Sequence, residues 1–406
     1  MTELSLGEAF DFNPKVTLQK KEPVPFVEMA DLIPEHRDAY SHKLKEYSGG
    51  SKFCDGDVLI ARITPCLQNG KTSIYRADPH VKDKPAFGST EFLVLRGKTD
   101  ISTSFYGYYL FRTQEVRNFA IATMNGSSGR QRVQLDALSE YKINLPNLST
   151  QREIVATLGA LDDKIESNRR ALKILFELTD EIAKKMLSEN EVKVHELGEL
   201  VAFNKSSIKT GQFAEIDYID IKSVGQGIVE SATHYRFADA PSRARRMVHD
   251  GDVIYSTVRP ERQAFSPIFM PAPNLIVSTG FAVMSPKEKI GTSFLAYIAG
   301  SESFAKYLAS AASGSAYPAV SVSAMGKYRV SLPADTTILD LYEQITLPMR
   351  RMGAQLLKES QQVESLRDAL LPELMSGRIR VPQAQEAIAE VIPEEDDEHA
   401  SKTSRG

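Results

Sequence analysis

Two clusters of arginine, amide and hydroxyl side chains are the residues of this chain whose types and spacing suggest a ligand. The first holds Arg62, Thr64, Gln68, Asn69 and Lys71, and later Arg130, Gln131 and Arg132 beside the turn Gly126-Ser-Ser-Gly129. The second holds Ser256, Thr257, Arg259, Arg262 and Gln263, with Arg243, Arg245 and Arg246 upstream. Arginine offers guanine a bidentate fork, glutamine and asparagine match adenine, and lysine or arginine anchors phosphate, so these types suit the grooves and backbone of double-stranded DNA. For any one of them a solvated charge is the simpler reading; the weight lies in the set. Catalytic patterns are missing: there is no metal-cluster spacing, Walker loop, nucleophile elbow or glycine-rich dinucleotide turn after a strand. Gly126–Gly129 follows a helix-like segment and lacks the lysine of a phosphate loop. The seven histidines lie far apart and read as surface or packing residues. The expectation is a chain that is not itself an enzyme and holds no cofactor or metal.

The segments that position these loops occur twice. Leu6-Gly7-Glu8 is matched by Leu197-Gly198-Glu199, an offset of 191. The strand-like run from Val24 to Met29 returns at Ile216 to Ile221. Asp55-Gly56-Asp57, which feeds an apolar run ending at Arg62, returns as Asp250-Gly251-Asp252 before a run ending at Arg259. Gly88–Leu95 pairs with Val277–Met284, Gly126-Ser127-Ser128 with Gly314-Ser315, and Leu145-Pro146 with Leu332-Pro333. The matches keep their order while the offset drifts only between 187 and 195, which chance similarity of short apolar words would not do. The two arginine loops therefore occupy corresponding places in two similar domains.

Each domain is followed by a long amphipathic run. Leu158, Ile165, Leu172, Thr179 and Met186 recur by seven, with Leu161, Asn168, Leu175 and Ile182 between them, the pattern of a coiled-coil seam. Asn168 on that seam is either a register-fixing polar residue or an imperfection. Thr150 with Glu153 forms a capping box that predicts a start near Gln151, and a helix from there to Leu187 spans roughly 55 Å. After Leu332-Pro333 a second seam carries Met349, Leu356, Val363 and Leu370 by sevens, with Met352 and Leu366 between, while Glu359 spoils one position. Thr337 and Asp340 offer a start, Pro348 argues for a kink or a separate short helix, and Pro372 with Ser376-Gly377 for the end. Two such seams cover each other most economically, running antiparallel if each links domains at opposite ends. The expected fold is mixed α/β (α+β), with two similar globular domains separated by two long antiparallel helices forming a coiled coil. Residues 1–148 and 191–334 form the domains, 149–190 and 335–382 the helices. A pair of domains on such a spacer suits a ligand of regular pitch such as DNA, and a symmetric adaptor for protein partners satisfies the same geometry.

The net charge of −4 is uneven along the chain. From Gln383 onward seven acidic residues face Lys402 and Arg405, a balance of −5 that leaves +1 on the preceding 382 residues. Residues 383–406, polar and without aromatics, are expected to be a disordered acidic tail. Cys54 and Cys66, the two cysteines, have no nearby histidine pattern and read as reduced packing residues. With no apolar run near 18 residues and no leader pattern, the expectation is a cytoplasmic protein without membrane contact.

The segment Gln151-Arg-Glu-Ile154 opening a long helix after Leu-Pro, the run Leu161-Asp-Asp-Lys-Ile165 through Asn168, the stretch Gly126–Val133 and the closing Leu370-Leu-Pro-Glu-Leu-Met-Ser-Gly-Arg-Ile-Arg380 resemble the specificity subunit of type I restriction-modification systems. The resemblance spans nearly residues 1–382. It implies two target-recognition domains reading the halves of an interrupted DNA sequence, and helices that set the spacing and dock two modification (methyltransferase) subunits. S-adenosylmethionine chemistry would then sit in those partners, and ATP- and magnesium-dependent translocation and cleavage in restriction subunits. The second helix start, where Tyr342-Glu343-Gln344 stands, departs from the pattern. A protein-binding scaffold without DNA recognition is the competing reading; a self-sufficient nuclease or methyltransferase lacks a site.

Overall fold

The computed structural model describes residues 1–18, 22–78, 85–314 and 318–391. The chain forms two compact units, Met1–Ser167 with Ser360–Gly406, and Asn168–Glu359. Each unit thus takes part of both long helices.

Unit 1 runs β1 (Thr2–Ser5), α1 (Leu6–Ala9), β2 (Phe10–Phe12), β3 (Pro23–Val27), β4 (Asp38–Tyr40), β5 (Lys43–Glu46), β6 (Ser51–Phe53), β7 (Val58–Ala61) and β8 (Thr72–Arg76). It continues with β9 (Ala86–Gly88), β10 (Phe92–Gly97), α2 (Ser104–Arg112), α3 (Gln114–Ala122), α4 (Leu135–Ser139), β11 (Lys142–Leu145) and the long helix α5 (Leu148–Glu189). β7 is buried along its length and lies in the middle of a five-stranded sheet ordered β2-β10-β7-β8-β4. A continuous apolar run suits a strand covered on both faces. Val58 and Ile60 pack into one core with Leu93, Leu95 and the tyrosines of α2, while Leu59 packs into a second with Phe53, Tyr75, Phe92 and Val94. A four-stranded sheet, β5-β3-β9-β6, and the pair β1-β11 complete the unit.

Unit 2 repeats this frame with β12 (Val192–Glu196), α6 (Leu197–Leu200), β13 (Val201–Phe203), β14 (Glu215–Ile219), β15 (Thr233–Arg236), β16 (Ala244–Met247), β17 (Val253–Ser256), β18 (Phe265–Pro267), β19 (Leu275–Ser278) and β20 (Phe281–Pro286). There follow α7 (Thr292–Gly300), α8 (Glu302–Ala311), α9 (Val322–Gly326), β21 (Arg329–Pro333) and the second long helix α10 (Thr336–Ser376). Its sheets are β13-β20-β17-β18, β15-β14-β19-β16 and β12-β21. Even the mixed pairing recurs, since β3 is parallel to β9 as β14 is to β19, and β6 and β16 join antiparallel. Among the described residues β4 of unit 1 has no counterpart in the corresponding sheet of unit 2.

The duplicated words mark the positions where the backbone has least choice. In Asp-Gly-Asp the glycines adopt φ +81° at Gly56 and +84° at Gly251, a region that favours glycine. The next carboxylate then turns back on the chain: Asp57 accepts from the Cys54 amide at 2.7 Å and Asp252 from the His249 amide at 2.8 Å. A pair the sequence reading passed over is Asn13 and Asn204. Both have positive φ, and each side chain accepts an amide of its sheet neighbour, Val94 at 3.1 Å and Val283 at 3.0 Å.

The long helices pack on one another in each unit, with antiparallel register. In unit 1 Leu158, Leu161 and Ile165 share a core with Val363 and Leu370, and Leu366 packs against it. Each such buried aliphatic contributes roughly 1.5–3 kcal/mol. Asp162, 3% exposed, accepts from Arg367 at 2.8 Å and from the Tyr109 hydroxyl at 2.6 Å. In unit 2 the buried Asn168 donates to the Glu359 carboxylate at 2.7 Å, and Arg350 reaches Asp180 at 3.3 Å. Leu172, Leu175, Ile182, Met349 and Leu356 are partly covered.

Several expectations for the helices need correction. α5 starts at Leu148, because Asn147 rather than Thr150 provides the cap, accepting from the Thr150 amide at 2.9 Å. α10 starts at Thr336 behind Asp335, whose carboxyl the Thr337 hydroxyl, donating at 2.7 Å, and the Thr337 amide, at 3.0 Å, hold below its ordinary value. It runs unbroken through Pro348 and Pro372. Buried Leu339 and Tyr342 and the Glu343 bonds to the Ser293 amide anchor the turns before Pro348, so packing overrides the local proline penalty. The helix ends at Gly377, φ +73°. Met352, placed on the seam by its spacing, is 57% exposed; Gly353 takes the buried place and lets Leu172 and Phe176 approach. Finally, the tail does not begin at Gln383: Val381–Val391 forms a helix, α11, whose Ala384 is buried and whose Ile388 packs on the unit 1 core. Residues 392–406 lie outside those described.

Candidate nucleic-acid interface

The two loops are built by the same backbone bonds. In unit 1 the chain leaves β7 and Arg62 donates its amide to the Glu91 carbonyl at 2.9 Å. Val133 donates to the Arg62 carbonyl at 2.9 Å and Thr64 to that of Gln131 at 3.0 Å, with Ile63 bridged to Arg132. In unit 2 Thr257 donates to Gly280 at 2.8 Å, Val320 to Thr257 at 2.9 Å and Arg259 to Pro318 at 2.8 Å, with Val258 bridged to Ala319. The correspondence is therefore Arg62 to Thr257 and Thr64 to Arg259. The two arginines that end the apolar runs in the sequence are not equivalent; they stand two residues apart on a common scaffold.

In unit 1 the structure gathers Arg62, Thr64 and Gln68 against the 124–133 turn. Gln68 donates to the Thr64 hydroxyl at 3.1 Å, and Arg62 donates through Nη2 to the Val133 carbonyl at 3.3 Å. Arg132 is clasped by Glu91 at 2.6 to 3.0 Å, and that carboxylate raises the guanidinium above its ordinary value. Arg130 is exposed at the turn that Gly126 and Gly129 shape with positive φ, Gln131 is half-buried, and Asn69 is exposed on the loop. Lys71 points its ammonium at the Met29 carbonyl, 2.7 Å away.

In unit 2 Ser256 drops out of the candidate set: it is fully buried at the end of β17 and its hydroxyl donates to the Val258 carbonyl at 2.8 Å. The cause is strand pleat, which turns Ser256 inward while Thr257 begins the loop. The Thr257 hydroxyl donates to the Gly280 carbonyl at 2.8 Å. Arg259 and Gln263 both adopt left-handed backbone, φ 50° and 52°, bracketing the short turn that carries exposed Arg262. Gln263 reaches the Ser301 carbonyl at 3.5 Å. Arg243 is exposed and joins the loop through its carbonyl, which accepts from the Thr279 amide at 2.8 Å. Arg245 and Arg246 instead lie on β16 in the other sheet. There Arg245 stacks 5.4 Å over Phe237, and burial pushes Arg246 below the usual arginine value.

Sequence reasoning missed Glu91, the residue that fixes Arg132. Its signal lay in the repeat itself, where Ser89-Thr90-Glu91 corresponds to Ser278-Thr279-Gly280: a carboxylate on one side, no side chain on the other. Chemically each loop can present guanidinium, amide and hydroxyl groups on a rigid strand end. Among the described residues no three or more His, Cys, Asp or Glu side chains cluster as a metal site, and no helix is long and apolar enough to cross a membrane.

Comparison with known proteins places this scaffold. The family model of the Type I restriction modification DNA specificity domain matches residues 2–175. The first domain is similar to a type I DNA specificity domain. Over 222 residues the chain is 25% identical to the type I restriction enzyme EcoEI specificity subunit of Escherichia coli, covering 50% of this chain and 37% of that one. To the EcoAI specificity subunit of the same organism it is 26% identical over 209 residues, 47% of this chain and 35% of the relative. Those matches thus span little more than a third of each relative. The MjaIX specificity subunit of Methanocaldococcus jannaschii is 20% identical over 310 residues, 68% of this chain and 69% of its own. Among solved structures, the type I restriction-modification S subunit from M. genitalium shares the fold, with a TM-score of 0.59 at 18% identity over 92% of this chain and 95% of that one. The chain thus shares the mixed α/β fold of that solved S subunit, and the second unit repeats the frame of the first apart from β4.

Proposed function

We propose that this chain is the DNA-recognition subunit of a type I restriction-modification complex, each unit reading one half of a bipartite target. The observation that carries it is the specificity-domain match over residues 2–175 on a frame that recurs in unit 2 with different side chains on the same loop. Arg62, Thr64, Gln68, Asn69, Arg130, Gln131 and Arg132 contact one half-site, and Arg243, Thr257, Arg259, Arg262 and Gln263 the other. Lys71, Arg245 and Arg246, held by protein partners or burial, serve the loops from behind. Helices α5 and α10 set the gap between half-sites and dock two modification subunits; restriction subunits join that assembly. The chain performs no chemistry, and S-adenosylmethionine, ATP and magnesium act in the partners, inside the cytoplasm.

The test is co-expression with the cognate modification subunit and base-resolution mapping of methylation. A two-part motif with a constant gap is expected. Methylation without such a motif, or a complex whose DNA affinity lacks steep salt dependence, would return the chain to the class of protein scaffolds.

A further inference from the structure

Two ion pairs cross the helix seam, and each has its acid on α5 and its base on α10. In unit 1 the acid, Asp162, is on α5 and the base, Arg367, on α10, at 3% and 1% exposure. In unit 2 the acid is again on α5, Asp180, and the base again on α10, Arg350, the arginine only 6% exposed. The sequence repeat alone does not require this. Leu145-Pro146 and Leu332-Pro333 set an offset of 187 between the helices, by which Asp180 corresponds to Arg367, and Asp162 stands one residue from the counterpart of Arg350. Corresponding positions in the repeat therefore carry opposite charge.

From this we infer that the sorted charges select the partner of each seam, admitting α10 to α5 and rejecting α5 of a second copy of this chain. Two α5 helices in the same antiparallel register would bring Asp162 of each against Asp180 of the other, two carboxylate pairs in which Asp162 is buried and Asp180 half-exposed. Two α10 helices would bring Arg350 against Arg367. In unit 1 leucine, isoleucine and valine line the seam from both helices and discriminate between partners less than charge does, while in unit 2 the place of Gly353 against Leu172 and Phe176 adds shape to the selection. A buried charge facing its like is costly in a way an apolar mismatch is not, so charge supplies specificity where the heptads supply adhesion.

The test uses the whole chain with a protease site inserted after Asn190, cut after purification so that the two segments can exchange partners, and read by native mass spectrometry. Wild type is expected to return mixed pairs of the two segments over like pairs by more than about 100-fold. The double variant D180R/R350D keeps both pairs complementary within one chain but makes α5 complementary to α5 and α10 to α10; it is expected to produce like pairs at near-statistical frequency. The neutral variant D180N/R350Q, at the more exposed pair, is expected to fall between them, and it serves if the reversed variant is poorly folded. Like pairs from the wild type, or a preference unchanged in either variant, would overturn the proposal, leaving shape rather than charge as the selector.

Discussion

In unit 1 the residue whose amide bonds the Glu91 carbonyl is Arg62; in unit 2 the residue in that place, bonded to Gly280, is Thr257. Two positions on, unit 1 has Thr64 and unit 2 has Arg259. The backbone is conserved between the halves of the chain while the guanidinium moves by one pleat repeat. A similar contrast holds behind the loops. Unit 1 clamps Arg132 with a carboxylate that unit 2 replaces by glycine, and buries its helix ion pair where unit 2 leaves Asp180 44% exposed. The lesson is that the frame is built from backbone bonds, turns and strand burial, which tolerate many side chains. The two surfaces are thereby free to diverge.

The largest expected effect breaks the comparison between helix pairs. Arg367→Ala leaves Asp162 charged and buried with only the Tyr109 hydroxyl, and should cost about 3–5 kcal/mol in urea unfolding. Arg350→Ala, releasing a carboxylate that water reaches, should cost about 1–2 kcal/mol. Equal losses would show that the two pairs are energetically alike. Next, in the assembled complex, Arg259→Ala should relax preference at one base of one half-site by about 1–3 kcal/mol, measured by competition binding, with no change at the other half. Arg130→Ala, at an exposed turn, should instead weaken all sequences alike and reduce the salt slope by about one. The smallest effect concerns pH. Burial opposes ionisation of Asp38, yet Arg37 and Arg76 hold its carboxyl below the ordinary range. Its contribution to stability is therefore complete above that range and lost as pH falls through the lowered value. Asp38→Asn should flatten the acid limb of unit 1 stability and leave that of unit 2, which rests on the lowered carboxyls of Asp250 and Asp335, unchanged.

How much of this was legible in the sequence follows from which forces act locally. Asp-Gly-Asp, Gly126–Gly129 and the all-apolar β7 and β17 are local signals, and they located the loops and the duplication. The seam of α5 was legible because Leu158, Leu161 and Ile165 repeat regularly, whereas α10 misled. Its buried line passes through Arg350, Gly353, Ser360 and Arg367, residue types a hydrophobic template skips, so heptad spacing points to Met352 rather than Gly353. Pro348 misled for a related reason: the Glu343 bonds and the Tyr342 packing that hold the helix there come from residues distant in sequence. Ser256 was misjudged by a single pleat, and Glu91 was overlooked because its partner Arg132 lies 41 positions away.

The central claim is that two copies of one frame read separate halves of a DNA target. Exchange of residues 1–148 for the corresponding segment of another specificity subunit, followed by methylation mapping in the assembled complex, tests it most directly. One half of the methylated motif should change while the other half and the gap stay as they were. A motif unchanged by the exchange, or altered in both halves at once, would contradict it.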